Sequence, residues 1–309
     1  MRILVTGASG FLGRHLLPRL VRDGHIVVAP GSRELDLTRD GGLAALDGER
    51  FDMIFHLAAW TRAGTFCRTH GGDQWVVNQR LNTNALAWWR DKQPQAKLIA
   101  LGTSVSYPKG VPLREEHYLD GAPIDDFYAY AMTKRMLLVG LQTLAKQYGL
   151  KYGYFVPSTL YGPGYHLDGR PLHFIYDLIR KILRGKELGD PVVLWGDGHQ
   201  KRELVFIDDF VELFLRLSLT AENEVVNIGE GGEHSIREFA AIICDAVGFD
   251  FARIEFDTSK YVGLKSKVLD VERMRQLAPE FRPTAMQTGL RRTIDWMQAE
   301  KAHLVLPAS

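Results

Sequence analysis

The chain has 309 residues, of which 46% are hydrophobic and 24% charged, as in a soluble globular protein with a sizeable core. Its formal net charge of +1 excludes the strongly basic surface of a nucleic-acid-binding protein and the polybasic strip of a membrane-surface protein. No apolar run approaches the ~20 residues that span a bilayer. Cys67 and Cys244 are far apart and no Cys/His cluster has metal-ligand spacing, so we expect a cytoplasmic protein with two free thiols and no metal.

Strands and helices alternate through the first half of the chain. Apolar runs predict strands at residues 2–6, 25–29, 53–59, 97–102 and 152–156. Amphipathic patterns predict helices at residues 11–23, 78–92 and 128–148. This alternation predicts an α/β fold built on a Rossmann-type, doubly wound parallel sheet.

A glycine-rich turn follows the first strand, with Gly7, Gly10 and Gly13 three residues apart. Residues without a Cβ let the backbone approach a pyrophosphate, which then lies at the positive end of the next helix. Because a strand precedes this turn and an amphipathic helix follows it, we predict a dinucleotide-binding site. The residues expected to line it are Gly7, Ser9, Gly10, Phe11 and Leu12.

The end of the second strand indicates which dinucleotide binds. An Asp or Glu there would accept from a ribose 2′-hydroxyl and repel a 2′-phosphate, but the chain has Ala29-Pro30-Gly31-Ser32-Arg33. Ser32 and Arg33 suit a phosphate, so NADP(H) is favoured and NAD(H) remains possible. Asp36, followed by Leu37, is expected to hold the adenine amino group. The residues expected to line the rest of the cleft are Leu57, Ala58, Ala59 and Thr61.

Beyond Gly164 the alternation breaks, and long connections surround one predicted helix at residues 174–184. Strands predicted at residues 203–206 and 225–228 are expected to return to the main sheet. We therefore expect two interleaved parts. They are an NADP-binding Rossmann domain of residues 1–164, to which residues 203–232 return, and a smaller substrate lobe, mainly residues 165–309.

Tyr130 and Lys134 stand four residues apart on a predicted helix and share one of its faces. We expect the ammonium to favour the phenolate and so to lower the pKa of Tyr130 from its usual ~10. Such a pair can exchange a proton with a sugar oxygen while hydride moves to or from a nicotinamide. A second copy of the spacing, Tyr261 to Lys265, lacks a preceding strand like the one that ends at Thr103, and we interpret it as chance.

With Thr103, this pair and the GxxGxxG turn, the chain resembles the extended short-chain dehydrogenase/reductases that act on nucleotide sugars. The resemblance runs nearly end to end and is nearest to the GDP-L-fucose synthase-like reductases of GDP-4-keto-6-deoxy sugars. Four passages carry it: Ser32-Arg33-Glu34-Leu35-Asp36-Leu37, Leu101 to Pro108, Trp195-Gly196-Asp197-Gly198 leading to Arg202-Glu203 and Ile207-Asp208-Asp209, and Lys267-Val268-Leu269-Asp270.

The resemblance implies roles for these residues. Tyr130 would give a proton to the C4 oxygen of the sugar, Thr103 would hydrogen-bond the same oxygen, and Lys134 would hold the nicotinamide ribose. Hydride would come from the B-face of NADPH. Arg202 and Lys267 would pair with the substrate diphosphate. The other substrate-binding candidates are Ser104, Val105, His173 and Trp195, with Tyr165, His166 and Arg170 nearby, and Asn84 is expected to help hold the framework.

One position departs from the subfamily. Val105 stands where the subfamily has the cysteine that removes protons beside the ketone, and valine cannot carry a proton. His173 stands in a plausible place for the second epimerisation residue. The resemblance therefore implies reduction of a 4-keto sugar nucleotide, GDP-linked by preference, without C3/C5 epimerisation.

Several alternatives stay open at this point. A 4,6-dehydratase would need acidic residues beside Thr103, where Ser104 and Val105 stand. A 4-epimerase with tightly bound NAD needs only Thr103, Tyr130 and Lys134. A single-base C3/C5 epimerase could use His173, and a sensor without catalysis could share the fold.

The family resemblance also predicts a homodimer. Extended members often pair through two helices of each subunit, which here are residues 78–90 and 128–148. The apolar residues expected to contribute surface are Trp88, Trp89, Met132 and Met136.

Overall fold

The computed structural model describes residues 1–62, 66–260 and 265–304. Its strands are β1 (Arg2–Thr6), β2 (Ile26–Val28), β3 (Met53–His56), β4 (Lys97–Leu101), β5 (Tyr152–Pro157), β6 (Thr159–Tyr161), β7 (Val192–Trp195), β8 (Lys201–Arg202), β9 (Leu204–Phe206), β10 (Glu224–Ile228), β11 (His234–Ser235) and β12 (Ile254–Asp257). Its α-helices are α1 (Phe11–Arg22), α2 (Phe66–Thr69), α3 (Gly71–Lys92), α4 (Tyr128–Tyr148), α5 (Phe174–Glu187), α6 (Ile207–Thr220), α7 (Ile236–Val247), α8 (Glu272–Leu277) and α9 (Met286–Ala299).

Within these residues the main sheet has six parallel strands in the order β10-β5-β4-β3-β1-β2. Helices α1 and α6 pack together, as do α3 and α4. The predicted doubly wound parallel sheet is confirmed. The strand order reverses between β1 and β3, and ligands of such sheets bind in the crevice at the carboxyl ends of the strands beside this reversal.

Two elements beside the crevice differ from the prediction. β3 ends at His56 rather than Ala59, and the chain then leaves the sheet. α3 begins at Gly71 rather than Asn78. The early turns of α3 are stabilised by tertiary hydrogen bonds. Asn78 Oδ1 accepts from the Trp60 amide at 2.8 Å, and Asn78 Nδ2 donates to the Trp60 carbonyl at 3.0 Å.

Only one of the two strands predicted to return to the main sheet, β9 and β10, joins it. β10 joins the edge of the main sheet beside β5, as predicted. The prediction that residues 203–206 also return to that sheet is wrong, because β9 pairs in parallel with β6 in a separate small sheet. Its side chains face two cores: Val205 packs into the core of the main sheet, whereas Leu204 and Phe206 pack into a second apolar cluster with α5, α7 and α9. Residues just before β9 therefore lie between the two cores.

Cys67 and Cys244 are both buried and free. Burial raises the pKa of the Cys244 thiol to about 11, so that thiol stays protonated at neutral pH. In the described ranges no helix is long and apolar enough to cross a membrane.

Candidate active site

The glycine turn is packed tightly against the end of β3. Gly7 has φ +71°, and a Cβ there would lie 2.6 Å from the Ala58 amide nitrogen. A Cβ on Gly13 would lie 2.4 Å from the Ala8 carbonyl oxygen. The first turn of α1, which is described throughout, carries no acidic side chain. These features fit a pyrophosphate at the helix N-terminus, where free amides and the helix dipole favour an anion.

The segment after β2 presents Ser32 and Arg33 to solvent. Asp36, by contrast, is engaged within its own turn. Its Oδ1 accepts from the amide of Thr38 at 3.0 Å and from the hydroxyl of Thr38 at 2.6 Å, and its Oδ2 lies 3.1 Å from Nε of Arg39. The hydrogen bonds from Thr38 keep the pKa of Asp36 low. Ser32 and Arg33 therefore remain the side chains available to a 2′-phosphate, while Asp36 shapes the turn beside them.

The loops after β2 and β3 form the wall of the crevice. Asn84 Nδ2 donates to the Leu37 carbonyl at 2.9 Å, so a side chain of α3 holds the loop after β2. The Leu57 amide donates to the Thr6 carbonyl at 3.2 Å and the Ala58 amide to Thr6 Oγ1 at 3.3 Å. The residues predicted to line the cleft here thus lie beside the end of β1, next to the glycine turn.

Tyr130 and Lys134 lie together on α4, and the end of β4 that carries Thr103 is joined to them through Tyr118. Lys134 Nζ lies 5.9 Å from the centroid of the Tyr130 ring. Thr103 reaches the same place through Tyr118, whose hydroxyl accepts from the Thr103 amide at 3.2 Å and whose phenol is close enough to Tyr130 to raise its pKa. The Thr61 hydroxyl hydrogen-bonds the Tyr130 phenol, so the loop after β3 meets the triad.

The predicted direction of the Tyr130 pKa shift is wrong for this structure. Burial raises the pKa of Tyr130 above its usual value, with Cys67 and Tyr118 adding to the rise. Burial also lowers the pKa of Lys134 to about 8. Desolvation of the phenolate is the largest cause of the rise. At neutral pH Tyr130 therefore keeps its proton and Lys134 stays mostly cationic.

A buried polar network that the sequence analysis missed lies behind Lys134. His56 Nε2 donates to Asn82 Oδ1 at 3.2 Å, and Asn82 Nδ2 donates to the Thr133 carbonyl at 3.3 Å. The other ring nitrogen of His56 accepts from the Thr6 hydroxyl at 3.0 Å. Burial and the charge of Lys134 lower the pKa of His56 to about 4, so the ring is neutral. This network ties the helix of Lys134 to β1, β3 and α3.

His173, Arg202 and Lys267 come together on the substrate side. Burial, followed by the charges of Lys267 and Arg202, lowers the pKa of His173 to about 4. Burial and Arg202 lower the pKa of Lys267 to about 8. His173 Nδ1 is buried and has no hydrogen-bond partner among the described residues. The cluster is a desolvated cationic site beside a neutral imidazole, which suits an anionic ligand that carries hydroxyl groups.

Glu203 holds this cluster and was quoted in the sequence analysis only as part of a motif. Its carboxylate accepts from the amides of Gly231 and Leu269, each at 2.8 Å. Burial raises the pKa of Glu203 to about 7. Glu203 directly follows Arg202 and accepts from the amide of Leu269, two residues after Lys267, so it holds together the two backbone segments that carry these cations. A carboxylate next to an arginine in an apolar strand was the available signal.

The remaining substrate candidates are spread around this cluster. Ser104 is buried and Val105 half-buried in the 3₁₀ turn that follows β4. Trp195, at the end of β7, is 59% exposed, so it lies on the rim rather than in a core. A cavity of about 710 Å³ opens between the segment after β4 and the segment of Lys267. It is lined by Ser104, Tyr107, Pro108, Lys109, Gly110, Val111, Pro112, Leu113, Ile124, Gly231, Ser266, Lys267, Val268, Leu269, Asp270, Val271, Glu272 and Arg275.

Tyr165, His166 and Arg170 lie in the connection before α5. Tyr165 stacks on Tyr176 with ring centroids 4.2 Å apart, and it meets Phe11 edge-on at 5.3 Å. Arg170 and His166 both face Asp168. Tyr165 thus joins α5 to the first residue of α1, so this connection packs on the glycine-turn helix.

Two further predictions concern the apolar residues expected at a dimer surface and the second copy of the Tyr/Lys spacing. Trp88 and Trp89 are core residues and contribute no surface: Trp89 Nε1 donates to the Ala96 carbonyl at 2.8 Å and Trp88 Nε1 to Asp47 at 2.9 Å. Met136 is exposed. Tyr261, of the second copy of the Tyr/Lys spacing, lies outside the described residues.

Comparison with known proteins places this site in context. The model described as "NAD dependent epimerase/dehydratase family" matches residues 3–229. The GDP-L-fucose synthase of Sinorhizobium fredii is 32% identical over 303 residues, covering 95% of this chain and 94% of the relative. The GDP-L-colitose synthase of Yersinia pseudotuberculosis is 27% identical over 312 residues, covering 97% of this chain and 99% of the relative.

The solved structures that resemble the chain share its whole architecture. A GDP-L-fucose synthetase from Naegleria fowleri superposes with a TM-score of 0.86 at 25% identity, covering 97% of this chain and 94% of that one. A GDP-6-OMe-4-keto-L-xylo-heptose reductase from C. jejuni gives a TM-score of 0.84 at 20% identity, covering 97% and 98%. The second likeness is one of fold.

Proposed function

This chain belongs to the NAD dependent epimerase/dehydratase family, and on that premise we propose that it reduces the C4 keto group of a GDP-linked 4-keto sugar with NADPH, without C3/C5 epimerisation. Its cofactor is a nicotinamide dinucleotide, and the finer choice of NADPH is part of the proposal. The observation that carries the proposal is the pairing of protonated Tyr130 with cationic Lys134 on α4, to which the backbone of Thr103 is joined through Tyr118.

The relatives' names support a GDP-sugar substrate. GDP-L-fucose synthases and a GDP-L-colitose synthase align with nearly the whole chain. Those two cations and His173 form one desolvated cluster. Directed cationic donors are what a diphosphate requires, and the neutral imidazole can bond a sugar hydroxyl.

In the proposed reaction each residue has one task. Bound NADPH supplies the hydride for C4. Tyr130 donates its proton to the C4 oxygen as negative charge develops there, and Thr103 hydrogen-bonds the same oxygen. Lys134 holds the nicotinamide ribose and, as a cation, favours the phenolate that Tyr130 becomes. The raised pKa of Tyr130 supports the direction of this transfer, since a donor must hold its proton before the step. An epimerase would begin with the phenolate instead.

The absence of C3/C5 epimerisation is proposed from Val105. Its side chain cannot remove a proton, and it directly follows Ser104 in the turn after β4. One thiol does lie near Tyr130: Cys67 is buried, and its Sγ accepts from Gln74 Nε2 at 3.6 Å. A deuterium-exchange experiment must therefore test whether Cys67 acts as the base for C3/C5 epimerisation.

A direct assay tests the proposed function. Purified protein is mixed with NADPH and a panel of GDP-linked 4-keto sugars, and loss of NADPH absorbance is followed. Substrate-dependent oxidation is the expected result. Isomerised 4-keto sugar without net cofactor turnover would favour the single-base C3/C5 epimerase. Protein that carries bound NAD and shows no net turnover of cofactor would favour the 4-epimerase, and no change with any sugar would favour a sensor.

Arg33→Ala is expected to weaken NADPH binding by roughly 10–100-fold, the worth of one charge-assisted hydrogen bond to a phosphate. NADH, which lacks the 2′-phosphate, should bind as before. Titration calorimetry with both cofactors checks this. Arg22→Ala, which removes an exposed charge from the far end of α1, is the matched control. Equal losses for NADH and NADPH would contradict the assignment of Arg33.

Substrate affinity is expected to fall as the pH rises through about 8, the pKa of Lys267. Protonated Lys267 binds the diphosphate and deprotonated Lys267 does not, so the affinity present below this pKa is lost above it, by up to ~10-fold per pH unit. Glu203, whose pKa is about 7, acts in the same direction because its charge appears as the pH rises. His173 stays neutral over this range.

Calorimetry with a GDP-hexose, whose diphosphate diester does not titrate here, checks the dependence on Lys267. Lys267→Arg keeps its charge and should flatten the profile above pH ~8. Lys265→Ala removes an exposed neighbouring charge and should leave the profile unchanged. A steep profile in Lys267→Arg would contradict this account.

We also propose the division into residues 1–164 with 203–232 and mainly residues 165–309, although β9 pairs with β6 rather than with the main sheet. Two separate apolar cores support it, since β10 completes the main sheet while α5, α7 and α9 surround the second core. A homodimer through α3 and α4 is proposed as well. Both helices carry large exposed apolar side chains: Trp75, Val76, Tyr128, Met136 and Tyr148.

A further inference from the structure

Two buried phenols join the end of β4 to the middle of α4. The Thr103 amide lies 3.2 Å from the Tyr118 hydroxyl, which lies 3.0 Å from the Tyr154 hydroxyl, which lies 2.7 Å from the Lys134 carbonyl. We name Tyr118 and Tyr154 the tyrosine bridge. Tyr118 is 1% exposed and Tyr154 is fully buried, so each hydroxyl depends on protein partners.

The direction of each hydrogen bond in the bridge is fixed by its two ends. A backbone carbonyl only accepts, so Tyr154 donates to Lys134. The Tyr154 proton is then committed, so Tyr118 donates to Tyr154. A backbone amide only donates, so Thr103 donates to Tyr118. The result is one continuous chain of donors from Thr103 to Lys134, and such chains polarise and strengthen one another in a dry interior.

The space for the bridge depends on Gly102. A Cβ at this position would lie 2.7 Å from the Tyr118 hydroxyl and 2.7 Å from the Tyr154 ring. The residue before Thr103 therefore leaves room for the phenols to approach the backbone. Tyr107 meets the Tyr118 ring edge-on at 5.1 Å and fixes its orientation.

A second anchor fixes the same loop to the same helix. Arg135, directly after Lys134, is buried, and its Nε donates to the Ser106 carbonyl at 2.9 Å. Its guanidinium also donates to the Gly121 and Asp120 carbonyls, at 2.6 and 2.7 Å. Arg135 thus fixes the far end of the loop after β4, and the bridge fixes the end that carries Thr103.

We propose that Tyr118 and Tyr154 are positioning residues that set the distance between the Thr103 hydroxyl and the Tyr130 phenol by holding the Thr103 backbone to α4 at Lys134. The bridge touches neither sugar nor cofactor in this account and acts through Thr103. The proposal rests on the proposed function, in which Thr103 and Tyr130 bind one C4 oxygen. A displacement of that pair by ~1 Å can cost ~10²-fold in rate.

The test compares kcat for C4 reduction among single Tyr→Phe variants. Tyr118→Phe and Tyr154→Phe are each expected to lower kcat by roughly 10–100-fold with little change in the KM for NADPH. Tyr152→Phe is the matched control, since it lies on the same strand, is buried, and loses a hydrogen bond from its hydroxyl to the Asn223 carbonyl at 3.2 Å. It should keep the native kcat. Equal kcat values for Tyr118→Phe and Tyr152→Phe would overturn the proposal that the tyrosine bridge positions Thr103.

A double-mutant cycle separates positioning from general destabilisation. In a Thr103→Ala background the bridge has no hydroxyl to place, so adding Tyr118→Phe should cost little further rate. An undiminished second loss would show that Tyr118 does not act through Thr103, and would overturn the proposal.

Hydrogen exchange at the Thr103 amide gives a readout that needs no substrate. The amide should be protected in the native protein and in Tyr152→Phe, and should exchange faster in Tyr118→Phe. A native protein that reduces no 4-keto sugar nucleotide would refute the proposed function, and the amide data would still decide the bridge. Unchanged exchange in Tyr118→Phe would refute the bridge itself.

Discussion

Tyr130→Phe is expected to slow C4 reduction by roughly 10²–10⁴-fold, the usual worth of a positioned general acid. The variant loses the proton that stabilises the developing C4 oxyanion, while the ring that lies 5.9 Å from Lys134 Nζ is retained. The NADPH site should therefore stay nearly intact. Single-turnover loss of NADPH absorbance measures the step, and calorimetry measures NADPH binding.

Tyr128→Phe provides the control for this prediction. Tyr128 begins the same helix but is exposed, so removal of its hydroxyl should leave the rate unchanged. Native turnover by Tyr130→Phe would show that another group supplies the proton. A parallel loss of NADPH affinity would show that the phenol serves binding rather than proton transfer.

Reaction in deuterated water is expected to leave no deuterium at C3 or C5 of the product. Removal of a proton beside the ketone needs a base, and Val105 offers none. Val105→Cys should introduce exchange at one or both positions, because it places a thiol in the turn that follows Thr103. Val105→Ala, which removes the valine without adding a base, should introduce none. Proton NMR of the isolated sugar distinguishes these outcomes.

If deuterium did enter C3 or C5, the first candidate for the base would be Cys67. If the native protein exchanges deuterium into C3 or C5, the account of reduction without epimerisation is wrong. Loss of that exchange in Cys67→Ala would then identify this thiol, which lies near Tyr130, as the base. Loss in a His173 variant instead would favour the single-base epimerase.

The parts of the fold with clear local signals could be predicted from the sequence. The glycine spacing predicted the turn at Gly7, and a period of 3.6 predicted α4 from Tyr128 to Tyr148 with the bounds that the structure gives. Both features depend on neighbours in the chain. The starting point of α3 was missed, because hydrogen bonds between Trp60 and Asn78, rather than local propensity, stabilise its early turns.

The sheet assignment of β9 required information that an apolar run does not carry. The side chains of Leu204, Val205 and Phe206 make both faces of β9 apolar. This pattern fits a strand inside the main sheet, and it fits equally well a strand between two cores, which is what the structure contains. Pairing with β6 is a long-range choice that depends on where the second core forms.

The candidate site shows the same division between local and tertiary information. Spacing alone put Tyr130 and Lys134 on one helical face, but the direction of the Tyr130 pKa shift depended on burial, which spacing does not report. Tyr118 and Tyr154 belong to no motif quoted from the sequence. Their contact with Thr103 and Lys134 exists only in the folded chain.

Transfer of isotope from the cofactor to the sugar shows whether the protein delivers hydride to C4. Native protein is supplied with NADPH deuterated on the B-face and a GDP-linked 4-keto sugar, and the product is examined by NMR. Consumption of NADPH with deuterium at C4 of the sugar is the expected result. A sugar that is isomerised while NADPH persists, or a C4 hydrogen that comes from water, would contradict it.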